Sequence, residues 1–99
     1  MRHEAAITSP AVSIGELLVI VADEIELGDQ LEIVTTTRPQ LATILAYQPA
    51  AMIIETDDGP RFQCAPYRKD EGRLPGDTGK MHYWTVSGPL RHTELRQFN

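Results

Sequence analysis

The sequence predicts an α+β fold that is mainly β, with an N-terminal helix, a four-strand antiparallel meander and a fifth strand. Three observations predict it: helix start and stop signals around residues 13–28, alternation of apolar and polar side chains over residues 30–65, and a hairpin near residue 58. The 99 residues form a single domain over 13–99, preceded by a flexible arm over 1–12. Because Pro10 interrupts an arm without hydrophobic period, we expect His3 to be exposed.

The predicted helix covers residues 14–27. Ser13 opens the capping box S-I-G-E with Glu16 at its third helical position, and Gly28 stands where a helix ends. Val19 and Ile20, however, project into the polar face at helical pitch. Two interpretations remain open: the helix contacts a second copy of the chain through Val19 and Ile20, or residues 17–21 form a buried β-strand rich in β-branched side chains.

The next two strands are predicted from alternation. Residues 30–37 place Leu31 and Ile33 on one face, and residues 41–47 form the following strand. Pro39 biases Arg38 away from helical conformation, so the segment between the strands is a turn. The pattern therefore predicts neighbouring antiparallel strands.

The hairpin over residues 50–65 completes the meander, and its loop length decides its register. A two-residue turn at Asp58-Gly59 places apolar side chains opposite polar ones on both faces. A three-residue loop over residues 57–59 instead pairs Ile54 with Phe62 and Glu55 with Arg61. We therefore predict the three-residue loop, which also brings Met52 opposite Cys64.

Residues 66–80 form a long loop without periodicity, residues 81–87 form the fifth strand, and residues 90–98 form one or two helical turns. In the fifth strand His82, Trp84 and Val86 share one side. The order of elements over residues 28–87 resembles that of small SH3-like or Sm-like barrels, which implies a partly open barrel with the helix packed on it. A curved five-stranded sheet with the helix across one face is the alternative.

Composition indicates a soluble intracellular chain. Cys64 is the single cysteine, which excludes an internal disulfide, and no apolar run is long enough to cross a membrane. We therefore expect a cytoplasmic protein without membrane contact. The net charge of −5 is uneven, since residues 1–60 hold ten acidic side chains against Arg2 and Arg38, while residues 61–99 hold seven basic against four acidic ones.

Two short motifs, one typical of aspartic proteases and one of phosphate-binding loops, lack the surrounding residues that their chemistry requires. Asp77-Thr78-Gly79 matches the triplet of aspartic proteases, but too few residues follow it to enclose a carboxylate pair. Gly79-Lys80 lacks the preceding glycine and the following Ser or Thr of a phosphate-binding loop. No pair of histidines has a metal-ligand spacing, so no metal or other cofactor is predicted.

One cluster combines basic and aromatic side chains that suit a phosphate backbone or unstacked bases. Its predicted binding residues are Arg61, Tyr67, Arg68, Lys69, Arg73, Lys80, His82 and Trp84. The competing interpretation is that Trp84 belongs to the core and that the loop is merely solvated.

These features predict a non-enzymatic interaction protein that forms a homodimer through Val19 and Ile20 and offers residues 66–84 to a protein partner. Two alternatives remain. The chain binds nucleic acid or a small anion through the basic and aromatic residues 61–84, or it is a small enzyme or ligand-binding protein with a pocket at the barrel mouth that uses His82 or His92.

Overall fold

A computed structural model describes residues 1–67 and 81–90. The described residues contain seven strands: β1 (Arg2–Ala6), β2 (Leu17–Val21), β3 (Gln30–Val34), β4 (Pro39–Gln48), β5 (Ala51–Thr56), β6 (Arg61–Pro66) and β7 (Met81–Pro89). They close into a barrel in the order β1-β2-β7-β6-β5-β4-β3. Neighbouring strands are antiparallel except β1 and β3, which pair in parallel and close the barrel.

The predicted helix over 14–27 is wrong, because β2 occupies its centre and the described residues contain no helix. The open alternative, a strand over 17–21, is the observed structure. Leu18 and Ile20 point inward and are fully buried, while Leu17, Val19 and Val21 lie on the outer side. The strand is apolar on both sides, and such a run also satisfies much of a helical pattern.

Both signals that resembled helix ends are β-turns with glycine in the third position. In Ser13-Ile14-Gly15-Glu16 the Glu16 amide donates to the Ser13 carbonyl over 3.2 Å, and Gly15 has a φ of +90°. In Glu26-Leu27-Gly28-Asp29 the Asp29 amide donates to the Glu26 carbonyl over 3.1 Å, and Gly28 has a φ of +89°. Glycine at a positive φ suits a type II turn as well as a helix C-terminus, so the sequence signal was ambiguous.

The flexible arm predicted for residues 1–12 contains β1, which hydrogen bonds to β2 on one side and to β3 on the other. Its inward side chains are His3 and Ala5, and Ile7 and Val12 beyond it are also buried. The prediction that His3 is exposed is therefore wrong. Because β1 presents a polar and a small residue inward, its sequence lacks the strong alternation that identifies a strand.

The meander is confirmed, since β3, β4, β5 and β6 are successive antiparallel neighbours and β7 follows β6. The hairpin register is also confirmed: Met52 lies opposite Cys64, Ile54 opposite Phe62, and Glu55 opposite Arg61. The Thr56 amide donates to the Pro60 carbonyl over 2.9 Å, which leaves residues 57–59 as the loop. The small barrel is confirmed only in part, because it is closed and seven-stranded instead of partly open or a curved sheet.

The core fills the barrel interior with apolar side chains from all seven strands. Trp84 is 4% exposed, and its ring meets that of Tyr47 edge to face at 5.8 Å. Each fully buried Leu, Ile or Met contributes about 1.5–3 kcal/mol to stability. The fully buried aliphatic and thiol side chains are Leu18, Ile20, Leu31, Ile33, Ile44, Met52, Ile53, Ile54, Cys64 and Val86.

A bulge between Ile44 and Ala46 changes which side chains of β4 face inward. Beyond it Tyr47 pairs with Met52 and packs against the core, whereas Ala46 and its partner Ile53 are buried without belonging to the interior cluster. The bulge thereby brings the Tyr47 ring against Trp84. In the described part of the chain there is no helix that is long and apolar enough to span a membrane.

Candidate functional site

The barrel pairing brings four strand ends together at one end of the molecule. Arg2 pairs with Gln30, Glu4 with Val21, and Val21 with Met81. This end therefore contains the start of β1, the end of β2, the start of β3 and the start of β7, and the connection over residues 22–29 crosses it. We call it the acidic end, because that connection carries Asp23, Glu24, Glu26 and Asp29.

An open cleft of about 660 Å³ lies at the acidic end. Its lining residues are Met1, His3, Asp23, Glu24, Glu26 and Asp29. His3 and Asp29 are buried at its base, whereas Asp23, Glu24 and Glu26 are exposed around it. The cleft thus combines a buried histidine and carboxylate with three solvated acidic groups.

Asp29 is held by three hydrogen-bond donors. The His3 Nε2 lies 2.6 Å from Asp29 Oδ2, the Glu26 amide donates to the same oxygen over 3.0 Å, and the Met1 amino group lies 3.0 Å from Oδ1. The His3 hydrogen bond is the main cause that lowers the pKa of Asp29 to about 2, against the opposing effect of burial. Asp29 is therefore ionised and only accepts, so His3 Nε2 carries the hydrogen.

A second histidine points inward at the same end. His82 on β7 is half-buried, and its Nε2 donates a hydrogen bond to the Ala22 carbonyl over 2.8 Å. This bond ties β7 to the start of the acidic connection. The histidine that lines the cleft is His3 and not His82, so this cleft is not the barrel-mouth pocket with His82 or His92 that the sequence offered as an alternative.

The predicted basic and aromatic residues are placed as follows. Arg61 Nε donates to Glu55 Oε2 over 2.8 Å, and Tyr67 is half-buried at the end of β6, where its amide donates to the Tyr83 carbonyl over 2.9 Å. Trp84 is in the core, so its ring does not offer a face to a base. Four of the predicted residues, Arg68, Lys69, Arg73 and Lys80, lie outside the described residues, as does His92.

The two predicted interface residues point to opposite sides of β2. Ile20 is fully buried inside the barrel and cannot contact a partner, because successive side chains of a strand alternate between faces. Val19 lies on the outer side beside Tyr83 of β7. The predicted dimer interface on a helix over 14–27 is therefore wrong for Ile20, whereas Val19 lies on the outside of the barrel, where a partner can reach it.

Val19 belongs to an outer face that crosses β2 and β7. Val21 pairs with Met81 and Val19 with Tyr83, and Leu17 is next to them on the same side of β2. Leu17, Val21 and Met81 are each 38–45% exposed. We call Leu17, Val19, Val21, Met81 and Tyr83 the outer apolar face.

Sequence reasoning missed His3, Asp29 and the outer apolar face. Asp29 comes 26 residues after His3, and the two meet only because β1 pairs in parallel with β3. The apolar run over 17–21 was the available signal for the outer face, since a strand that is apolar at every position has two apolar sides. In the described ranges, 1–67 and 81–90, no three His, Cys, Asp or Glu side chains form a group that could hold a metal ion.

Comparison with protein-family models, curated proteins and solved structures finds no match for this chain.

Proposed function

We propose that this chain is a small non-enzymatic binding protein that forms a homodimer through the outer apolar face of β2 and β7. The observation that carries the proposal is that β2 is apolar on both sides, with Leu18 and Ile20 inside and Leu17, Val19 and Val21 outside. An antiparallel strand with one solvated side normally alternates apolar and polar residues. A contiguous exposed apolar face is typical of an interaction site.

Because the barrel is closed, two copies would associate through an outer face of the sheet and not through a strand edge. Every strand has a hydrogen-bonded neighbour on both sides, so the described barrel has no free edge to which another strand could add. Association then requires contact between side chains on the outside of the barrel. The outer apolar face offers exposed aliphatic, aromatic and thioether groups on two adjacent strands.

Charge favours a second copy of the chain as the occupant. The outward residues of β2 and β7 are Leu17, Val19, Val21, Met81, Tyr83, Thr85 and Ser87, and none of them is charged. A two-fold interface places the same surface against itself, so a charged surface would repel its copy. In a chain with a net charge of −5, a face without charged side chains adds no repulsion of its own when two copies approach through it.

The test is sedimentation velocity on the full chain from low to high micromolar concentration, together with the Val21→Arg variant. Val21 is 45% exposed at the end of β2, so the variant adds a charge to the interface without opening the core. We expect the natural chain to form a dimer and the variant to have a dimer dissociation constant at least about tenfold higher. Val34→Arg is the matched control, since Val34 is 54% exposed at the end of β3 and lies outside the outer apolar face.

A natural chain that remains monomeric at the highest concentration would overturn the homodimer. Equal weakening by Val21→Arg and Val34→Arg would also overturn it, because the effect would then follow added charge and not position. Thermal unfolding of both variants establishes that each retains the folded barrel.

A further inference from the structure

We infer that the cleft at the acidic end binds an organic cation that carries N–H groups, namely a primary ammonium or a guanidinium. The inference is independent of the homodimer, because the cleft lies at the end of the barrel and the outer apolar face lies on its side. Its volume of about 660 Å³ is within the range of small-ligand sites.

The negative charge available to a ligand comes from the exposed carboxylates. Both oxygens of Asp29 are already occupied, by the Met1 amino group on Oδ1 and by His3 Nε2 and the Glu26 amide on Oδ2. No hydrogen bond or ion pair involves the side chains of Asp23, Glu24 or Glu26 within the described residues. These three groups make the cleft attractive to a cation.

Apart from these carboxylates, the cleft contains His3, whose Nδ1 could accept a hydrogen bond. The His3 side chain is 6% exposed, and its Nε2 is committed as donor to Asp29. Its Nδ1 has no hydrogen-bond partner among the described residues, yet the same residues contain no unpartnered buried side-chain nitrogen or oxygen. The Nδ1 is therefore reached by solvent, and His3 is one of the residues that line the cleft.

The chemistry of this nitrogen selects the ligand class. An imidazole that carries its single hydrogen on Nε2 presents a lone pair at Nδ1, which needs an N–H or O–H donor. A primary ammonium or a guanidinium supplies that donor and also pairs with the surrounding carboxylates. A metal ion fits less well, because the described side chains include no cluster of three metal-ligating groups.

The experiment is calorimetric titration of the full chain, at mildly alkaline pH and low salt, with two kinds of probe. Spermidine and agmatine are the free cations, and end-blocked tripeptides Gly-Lys-Gly and Gly-Arg-Gly carry the same groups on a peptide. Binding of either kind supports the inference, and the tighter kind identifies the source as a small molecule or as a partner's side chain. Absence of binding by all four probes would overturn it.

Two double variants distinguish binding in the cleft from attraction to the net negative charge of the chain. Glu24→Gln/Glu26→Gln removes two charges from the cleft, and Asp57→Asn/Asp58→Asn removes two exposed charges from the hairpin loop. We expect the first pair to weaken binding about fivefold to thirtyfold and the second to leave it within about twofold. Equal weakening by both pairs would assign the binding to net charge and contradict the cleft.

The role of His3 is read directly from the natural protein by ¹⁵N resonances of the imidazole rings. Saturation with the tightest probe is expected to shift the His3 Nδ1 resonance, because the lone pair then accepts a hydrogen bond. The His82 ring, whose Nε2 is bonded to the Ala22 carbonyl and which does not line the cleft, serves as the internal reference. An unchanged His3 resonance at saturation would refute the acceptor role.

Discussion

Replacing Asp29 by asparagine removes the buried carboxylate at the acidic end. Asp29 is 6% exposed and accepts hydrogen bonds from His3 and the Glu26 amide. Asparagine has nearly the same shape, so the substitution removes the charge without a cavity. We therefore expect a folded variant whose stability differs from that of the natural chain mainly through this charge.

The loss of stability in this variant can be worked out from the pKa of Asp29. That pKa falls from an ordinary 3.8 to about 2 in the folded chain, chiefly through the His3 hydrogen bond. Since one pKa unit corresponds to 1.36 kcal/mol, ionised Asp29 contributes about 2.5 kcal/mol to the free energy of unfolding. Because the folded pKa is the lower one, this contribution is complete above about pH 5 and is lost as the pH falls from about 4 to about 2.

Urea unfolding at a series of pH values between about 2 and 5 measures this loss, with fluorescence of the single Trp84 as the probe. This range avoids the ordinary titration of histidine near pH 6.5. The other carboxylates titrate in both proteins. The difference in free energy of unfolding between the natural chain and the Asp29→Asn variant therefore reports on Asp29. We expect that difference to shrink by about 2 kcal/mol from pH 5 to pH 2, because Asp29 is still about half ionised in the folded chain at pH 2.

The matched control is Asp57→Asn, which removes an exposed carboxylate from the hairpin loop. Its stability relative to the natural chain is expected to vary far less over the same range. If the difference in free energy of unfolding between the natural chain and Asp29→Asn stays constant down to pH 2, the prediction is refuted. The ionised form of Asp29 would then not stabilise the folded chain.

Two further predictions concern the turn at Gly15 and the thiol of Cys64. Gly15→Ala is expected to destabilise the chain by about 1–2 kcal/mol in urea unfolding, because Gly15 has a φ of +90° that a Cβ disfavours. A helix at this position would give the opposite sign, since alanine is the better helix former, so a stabilised variant would contradict the turn. Gly88→Ala is the control, because Gly88 has ordinary φ and no atom within 4 Å of an added Cβ, and its effect should be small. Cys64 is fully buried, and burial raises its pKa to about 12, so we expect its reaction with an aromatic disulfide reagent to be limited by unfolding. Rapid labelling of the native chain, at the rate found in urea, would show that the thiol is accessible.

The hairpin shows which part of the fold was predictable. Its register depends on residues within one short segment, because only the three-residue loop puts Ile54 opposite Phe62 and Glu55 opposite Arg61. The grouping of side chains on β3 and β7 followed in the same way, since Leu31 and Ile33 share one side of β3, Trp84 and Val86 share one side of β7, and the structure buries both pairs. Alternation along a single strand carries this information without any knowledge of its neighbours.

The N-terminal third was not predictable from local pattern. Residues 14–27 combine a turn at each end with an apolar run, and both a helix and a strand satisfy such a run. The choice is made by β1 and β7, which hydrogen bond to β2 on its two sides. The β7 partners lie 60 to 68 residues further along the chain, from the pair Val21–Met81 to the pair Leu17–Thr85. Their pairing with β2 is a property of the closed barrel.

The sequence by itself therefore determined the order of strands from β3 to β7, the loop of the hairpin and the side chains that share a face on β3, β5, β6 and β7, since each depends on contacts between neighbours along the chain. Only the tertiary structure decided that residues 2–6 and 17–21 are strands, that the barrel closes, and that His3 meets Asp29. The physical reason is that barrel closure pairs β1 with β3 and β2 with β7. Hydrogen bonds between segments so distant in sequence leave no periodic trace in either segment alone.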